Sequence, residues 1–553
     1  MLPQQSQDPL FGLCPLKLSK RTRTDGGFSA AYLLSLLIAL ALALAAARTS
    51  NFSELLSPPP SCSHSPGRLL SESGVAGDAF RAVASRAAFL LPTAALSVLL
   101  GAGWLFLLQR HPEPLVYATL STLPVALMIG AVGLMSTAQD SSTLTPATIL
   151  LAIALLYGLC LCCCRTMIRL TAALVKQATH VLAAHLWGLL GAALAVLVTF
   201  GLVCAGLVLA TATLLSNGAY ELPEVSEKAR GGFSGDSPPE CTWVLQSGWV
   251  GYGAGFCALV LLWTTSLAFL ARFYTVSLVT ACWWYDKSID AAHNASDSPS
   301  HSDDDRSAAA VLSSPLASRG PAALARQRPV RTALQLAAGP SFGTLCFAAI
   351  VMSICRLLDY LARSVRRRSN NLVAALVLAC LQSIIQLVEM LNRFALIFHS
   401  IDGKPFCTSA RHMRTLLARH GLSAYVVDSF SGVVVGVGAI SGGILAGLLS
   451  AATFERVLRA DQTLTDEARA AAAAVFGGLA AAAAVSTLGF LGALLLNAVD
   501  ACYVCFALDL EALRNCQPQV SAVLLQIAKP TTSFVVQNPG ECMPTVLGEA
   551  VQH

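Results

Sequence analysis

Charge is what this sequence has least of. Asp, Glu, Lys and Arg make up 12% of its 553 residues, about half the roughly 25% of a soluble domain, which is too little to cover a water-exposed surface. Aromatic residues are also sparse, at 7%, and no Lys/Arg tract is interleaved with them as nucleic-acid binding requires. That excludes a nucleic-acid partner. The H-E-x-x-H, Walker and G-x-S-x-G patterns are missing, as is any paired-acid lipid-transferase pattern. Lone histidines such as His180 and His185 read as membrane-surface residues, so no enzyme is expected, and no metal, nucleotide or other cofactor. The 18 cysteines lie mostly inside apolar runs, where Cys acts as a small hydrophobe. This excludes a secreted disulfide framework. Cys160, Cys162, Cys163 and Cys164, beside Arg165, read as a palmitoylation site or as plain residues at a membrane end. Their spacing lacks the paired separation of a zinc module.

What the chain has instead is apolar length. Hydrophobic residues are 55% of it and its mean hydropathy is +0.64. Ten runs stand out: Phe28–Ala47, Ala87–Leu108, Leu115–Met135, Ala147–Cys164, Ala184–Ala210, Gly248–Leu270, Phe342–Leu361, Leu372–Phe398, Val426–Ala451 and Ala470–Ala498. At about 1.5 Å per residue such runs cross a hydrocarbon core of about 30 Å. They are continuous rather than alternating, and backbone in hydrocarbon must satisfy its own hydrogen bonds, so they are helices. The expected fold is all-α: a polytopic transmembrane bundle of about ten spans with both termini cytoplasmic. The first run outlasts a signal-peptide core of about 7 to 15 residues and reads as an uncleaved span.

Composition divides the chain further. Residues 1–27 form a basic cytoplasmic tail with Lys17, Lys20, Arg21 and Arg23; residues 28–285 carry six helices with exoplasmic loops 48–86 and 216–247; 286–335, rich in Ser, Asp, Arg and Pro, reads as a disordered cytoplasmic loop; 336–498 carry the last four helices and 499–553 a cytoplasmic tail. With this orientation the cytoplasmic segments hold 20 Lys/Arg and the exoplasmic ones 13, the sense of the positive-inside rule. The exception is Arg363, Arg366, Arg367 and Arg368, so either that link is drawn towards the bundle or a flanking helix does not cross. Cys62 and Cys241 fall in the two exoplasmic loops and are expected to pair. Asn51-Phe52-Ser53 is a glycosylation sequon on the same side, whereas Asn294-Ala295-Ser296 lies on the wrong side.

Within the spans, Gln382, Gln386, Glu389 and Arg393 follow steps of four, three and four and share one helical face. A charge at the bilayer centre costs at least ~2.5–3.5 kcal/mol, so this edge meets a watery route or a polar partner; alternatively Glu389 and Arg393 neutralise one another at i, i+4. Gly432, Gly436, Gly443 and Gly447 form a small-residue seam suited to close helix packing, with Asp428 one turn ahead. Trp243, Trp249, Trp283, Trp284 and Tyr285 read as an interface belt. Tyr252 and Trp263 lie deeper, where an aromatic face can hold a quaternary ammonium. Arg411, Arg414 and Arg419 read as the charged side of a surface helix or as a solvated loop.

Several segments carry a resemblance: Gly339-Pro-Ser-Phe-Gly343-Thr-Leu345, Asn392-Arg-Phe-Ala395-Leu-Ile, Gly403-Lys-Pro-Phe406-Cys407-Thr-Ser409-Ala410, Cys505-Phe-Ala-Leu-Asp509-Leu-Glu511, and the helix end Trp284-Tyr285. Across Gly248 to Glu511 the chain resembles the choline transporter-like family. The resemblance implies ten spans, cytoplasmic termini, and facilitated or proton-coupled movement of choline or ethanolamine. A plasma-membrane carrier in contact with the lipid bilayer is therefore expected, with Glu389, Gln382, Gln386, Tyr252 and Trp263 as substrate residues. The alternatives are a non-transporting membrane scaffold or regulator of lipid metabolism that keeps the fold, and a head-group enzyme, for which no in-span acid cluster or histidine is visible. The expected Cys62–Cys241 bridge is checked by non-reducing electrophoresis: a Cys62→Ser, Cys241→Ser variant should migrate more slowly than wild type, and unchanged mobility argues against the bridge.

Overall fold

In the computed structural model the residues described are 21–48, 83, 89–137, 141–221, 242–245, 248–296, 328–368, 372–459 and 465–511. Asn51, Cys62, Cys241 and the middle of the expected cytoplasmic loop lie outside them. Ten helices are long and apolar enough to cross a membrane: α1 (Gly26–Ala47), α2 (Leu90–Arg110), α3 (Pro112–Thr137), α4 (Ser141–Cys163), α5 (Arg165–Leu215), α6 (Gly248–Ser296), and, after a short α7 (Pro329–Ala338), α8 (Phe342–Arg368), α9 (Leu372–Asp402), α10 (Phe406–Leu458) and α11 (Asp466–Glu511). Their outer faces carry exposed Leu, Ile and Val, such as Leu91, Leu202 and Val373, the surface a bilayer covers. A hairpin of β1 (Gly218–Glu221) and β2 (Thr242–Leu245), antiparallel with Gly218 opposite Leu245, adds a small sheet between α5 and α6.

Four helices, α5, α6, α10 and α11, are far longer than a membrane is thick. The 51 residues of α5 extend for about 75 Å at 1.5 Å per residue, and non-helical angles at His185 (φ −122°, ψ 16°) break them into two segments. In α10 the first turns bury Met413 and Leu416 while Arg411 and Arg414 stay exposed, the one-sided pattern of a surface helix. The helix α11 continues to Glu511, past the expected span end at Ala498. The 286–335 loop also differs from the sequence expectation: α6 runs through Ser296 and α7 begins at Pro329, so both of its ends are helical. Pro at a first helical position costs no hydrogen bond, which lets the Pro-containing stretch start α7. Both α8 and α9 are long enough to span, and Asp359 holds Arg363 at 2.5 Å.

The first span is built into the bundle. Tyr32 of α1, 3% exposed, reaches the Thr264 hydroxyl of α6 at 3.2 Å and meets Trp263 edge-on, 5.2 Å between centroids. The most extensive helix pair is α10 with α11, and half of the glycine seam explains it. A Cβ on Gly447 would lie 2.8 Å from Ala481 Cβ and 2.9 Å from the Gly477 carbonyl, whereas Gly432 and Gly436 face open space. Gly447→Val should therefore lower the detergent-state unfolding midpoint, at a cost of about 1–3 kcal/mol for forced overpacking. Gly436→Val should unfold like wild type in the same thermal assay.

Candidate functional site

The polar edge of α9 meets three other helices. Gln382 Nε2 donates to Asp359 Oδ1 of α8 at 3.3 Å. About two turns on, half-buried Glu389 lies in the field of Arg356 of α8. Arg356 in turn donates to the Ser266 hydroxyl of α6 at 3.2 Å and sits 5.4 Å from the Phe269 ring centre. Gln386, between them, is exposed. The alternative reading, intrahelical neutralisation of Glu389 by Arg393, survives as mutual field, while the direct contacts of Arg393 lie on other helices. Arg393 bridges Asp428 of α10 and Asp500 of α11, each at 3.0 Å. A guanidinium is planar with donors on both edges, so it can serve two helices where a one-turn partner on its own helix would occupy only one edge. Asp500 is 4% exposed and Arg393 21%, and a pair this sheltered is held by geometry rather than by water.

Accessibility changes along two helices. On α6 the positions left open follow Gly255, Ala258, Leu262, Thr265, Phe269 and Arg272, and beyond Arg272 the helix is buried from Phe273 to Ala281. On α9 Gln382, Gln386, Glu389 and Arg393 remain accessible and Leu396, Ile397 and Ser400 are buried. Both faces close towards the same end of the bundle, where α6, α9 and α11 finish and α1 and α8 begin.

That end is sealed by the residues preceding α1. Arg21 donates to the Tyr274 hydroxyl of α6 at 2.9 Å and to the Ser400 carbonyl of α9 at 2.5 Å. Thr24 shares a 2.7 Å hydrogen bond with Thr344 of α8. The Asp25 carboxylate accepts from Thr344 at 2.8 Å and from the Phe406 amide of α10 at 3.1 Å. Two glycines make room. A Cβ at Gly343 would overlap the backbone of Thr24 and Asp25, and Gly403, at φ +75°, lies under the Arg21 side chain. A short stretch of chain thus ties four spans together, and it belongs to the segment read from sequence as a basic tail.

The remaining expected residues are placed as follows. Trp263 shares the face of Ser266, and its ring N–H donates to the Cys346 carbonyl at 3.1 Å. Tyr252 is 84% exposed and about 16 Å from Trp263 along the helix axis, so the two do not form one aromatic wall. Trp284 and Tyr285 are each 1% exposed and are not belt residues: Trp284 Nε1 donates to Asp509 Oδ2 of α11 at 2.8 Å. A buried indole N–H needs an acceptor, and a carboxylate late in α11 provides it. Asp500 and the Arg21–Asp25 segment escaped sequence reading. An Asp at the end of an apolar run is the signal for the first; nothing local marks the second.

Residues 148–511 match the family model described as plasma-membrane choline transporter. The chain belongs to the choline transporter-like family. Relatives include a CTL-like protein of Dictyostelium discoideum, 30% identical over 26% of this chain and 28% of its own length. Choline transporter-like protein 5-B of Danio rerio is 30% identical over 31% of this chain and 25% of its own, and choline transporter-like protein 4 of Mus musculus is 32% identical over 18% and 16%. The chain thus aligns with about a quarter or less of the length of these relatives. The match and the ten apolar helices make it a multi-pass integral membrane protein. Family segments gather at the sealed end: Gly343 and Gly403 receive the segment ahead of α1, and Asp509 holds Trp284.

Arg393→Gln should leave two acids facing each other without their cation, a loss of about 3–5 kcal/mol for a broken sheltered pair. Adding Asp500→Asn should restore part of it. Thermal unfolding of the two purified variants checks this, and equal midpoints would remove the bridge as a structural element.

Proposed function

We propose that the chain is a secondary carrier for choline or a related small organic cation such as ethanolamine, acting in the plasma membrane with both termini cytoplasmic. One observation carries the reading: a polar edge on α9 meets charged and polar groups of α8, α10 and α11, and the end of the bundle beyond it is closed by Arg21–Asp25; we read the space beside that edge as the solute crevice. Alternating access requires a site between helix groups with one side sealed at a time. With cytoplasmic termini, the sealed end faces the cytoplasm and the open end the exterior, in keeping with the Lys/Arg distribution.

In this reading Glu389 compensates the ammonium once Arg356 moves aside, and Gln382 and Gln386 line the approach. Trp263 offers a ring for cation–π contact, and Tyr252, at the open end, is the first aromatic surface met. The Arg393 bridge to Asp428 and Asp500 forms the floor. Release to the cytoplasm then needs the Arg21–Asp25 contacts to part.

Two measurements test this. Radiolabelled choline uptake, in cells lacking their own carrier, should fall at least about tenfold in Glu389→Gln, the loss of one ~1.4 kcal/mol ionic contact. Equal uptake displaces the site, and no organic-cation uptake by wild type displaces the function in favour of a non-transporting role. In a background without exposed cysteines, Ser400→Cys should resist cytoplasmic thiol reagents. It should react at least about fivefold faster once Arg21→Ala and Asp25→Ala remove several hydrogen bonds of ~1 kcal/mol each. No difference would mean that Arg21–Asp25 does not close that end.

A further inference from the structure

The charges of α8 and α9 that face their neighbours balance in groups, and Arg272 of α6 stands apart from them. Arg356 has Glu389, Arg363 has Asp359, and Arg393 has Asp428 and Asp500. Arg272 has none: among the described residues it makes no hydrogen bond or ion pair, and its Nε is buried without an acceptor. Its guanidinium lies between two rings, 5.5 Å from Phe269 and 5.7 Å from Phe490 of α11. Phe269 is also the ring against which Arg356 rests, at 5.4 Å. Two guanidiniums therefore lie against one phenyl ring, and Arg272 is the last accessible position on the α6 face before the helix is buried.

A guanidinium in a membrane interior is costly unless wetted or paired, and aromatic faces offset only part of a full charge. Its donors form a fork that fits carboxylate and phosphate oxygens. A bare cation in the same crevice would be repelled by it, whereas a solute carrying an anionic oxygen would complete it.

We propose that Arg272 is an anion-accepting subsite of the crevice, so that the preferred solute bears a carboxylate or phosphate beside its ammonium. The proposal rests on the carrier reading for the ammonium half only. The ammonium is turned towards Glu389, and the anionic group takes the free donors of Arg272. Arg356, already engaged with Ser266 and Glu389, contributes field rather than contact.

The test is equilibrium binding to the purified full-length protein in detergent, with choline, glycine betaine, phosphocholine and inorganic phosphate as probes. Wild type should bind betaine or phosphocholine at least about tenfold more tightly than choline. Arg272→Gln should erase that advantage without weakening choline, and Arg272→Lys should keep part of it. Phosphate binding that Arg272→Gln abolishes, without a zwitterion preference, supports the anion site and assigns its occupant to a free ion. If neither choline nor a zwitterion binds while phosphate does so through Arg272, the carrier reading fails and the anion site stands. The proposal is overturned if choline binds as tightly as both zwitterions with the same ranking in Arg272→Gln and no phosphate binding depends on Arg272. It is equally overturned if none of the four probes binds.

Discussion

Hydrocarbon cannot hydrate a charge, and this constraint organises the interior of the bundle. Several charged side chains within the spans have partners on another helix, Arg393 with Asp428 and Asp500 and Arg356 with Ser266 among them. Arg393 is the clearest instance, since it joins α9, α10 and α11 through Asp428 and Asp500. The apolar contacts between these helices fix their distance; the guanidinium fixes which residues face one another. Leu and Val pack in many registers, but a sheltered ion bridge tolerates very few.

The same logic applies at the sealed end, with hydrogen bonds in place of ion pairs. Arg21, Thr24 and Asp25 deliver donors and acceptors to the middle of α6 and to the ends of α8, α9 and α10. Helix ends leave backbone amides and carbonyls without intrahelical partners. The Phe406 amide and the Ser400 carbonyl are two such groups, and the segment satisfies both. Closure of the crevice and capping of these helices are therefore one set of contacts.

Much of this architecture could be read in the residues, because it follows from one-dimensional properties. Apolar length predicted ten spans, and a step of three or four predicted that Gln382, Gln386, Glu389 and Arg393 share a face. What could not be read depends on which helices meet. Glu389 and Arg393 are one turn apart, so a local pairing was the natural expectation; the partners of Arg393 lie 35 and 107 positions away. Trp284 and Tyr285 resemble a membrane-end belt because aromatics near span ends usually are one, and only the extension of α11 to Asp509 buries them. Tyr252 and Trp263 share a helix, yet sequence spacing does not say how far along it the crevice is lined.

The glycines of α10 divide the α10–α11 pair into two regimes. Near Gly443 and Gly447 the backbones touch; Gly432 and Gly436 themselves face open space, while the neighbouring Val435 packs on Gly492 of α11. The pair is built like tongs, with a tight pivot towards one membrane face and two arms tipped by Asp428 and Asp500. What sits between the tips is Arg393. A displacement of α9 is thereby geared to the separation of two other helices through one side chain.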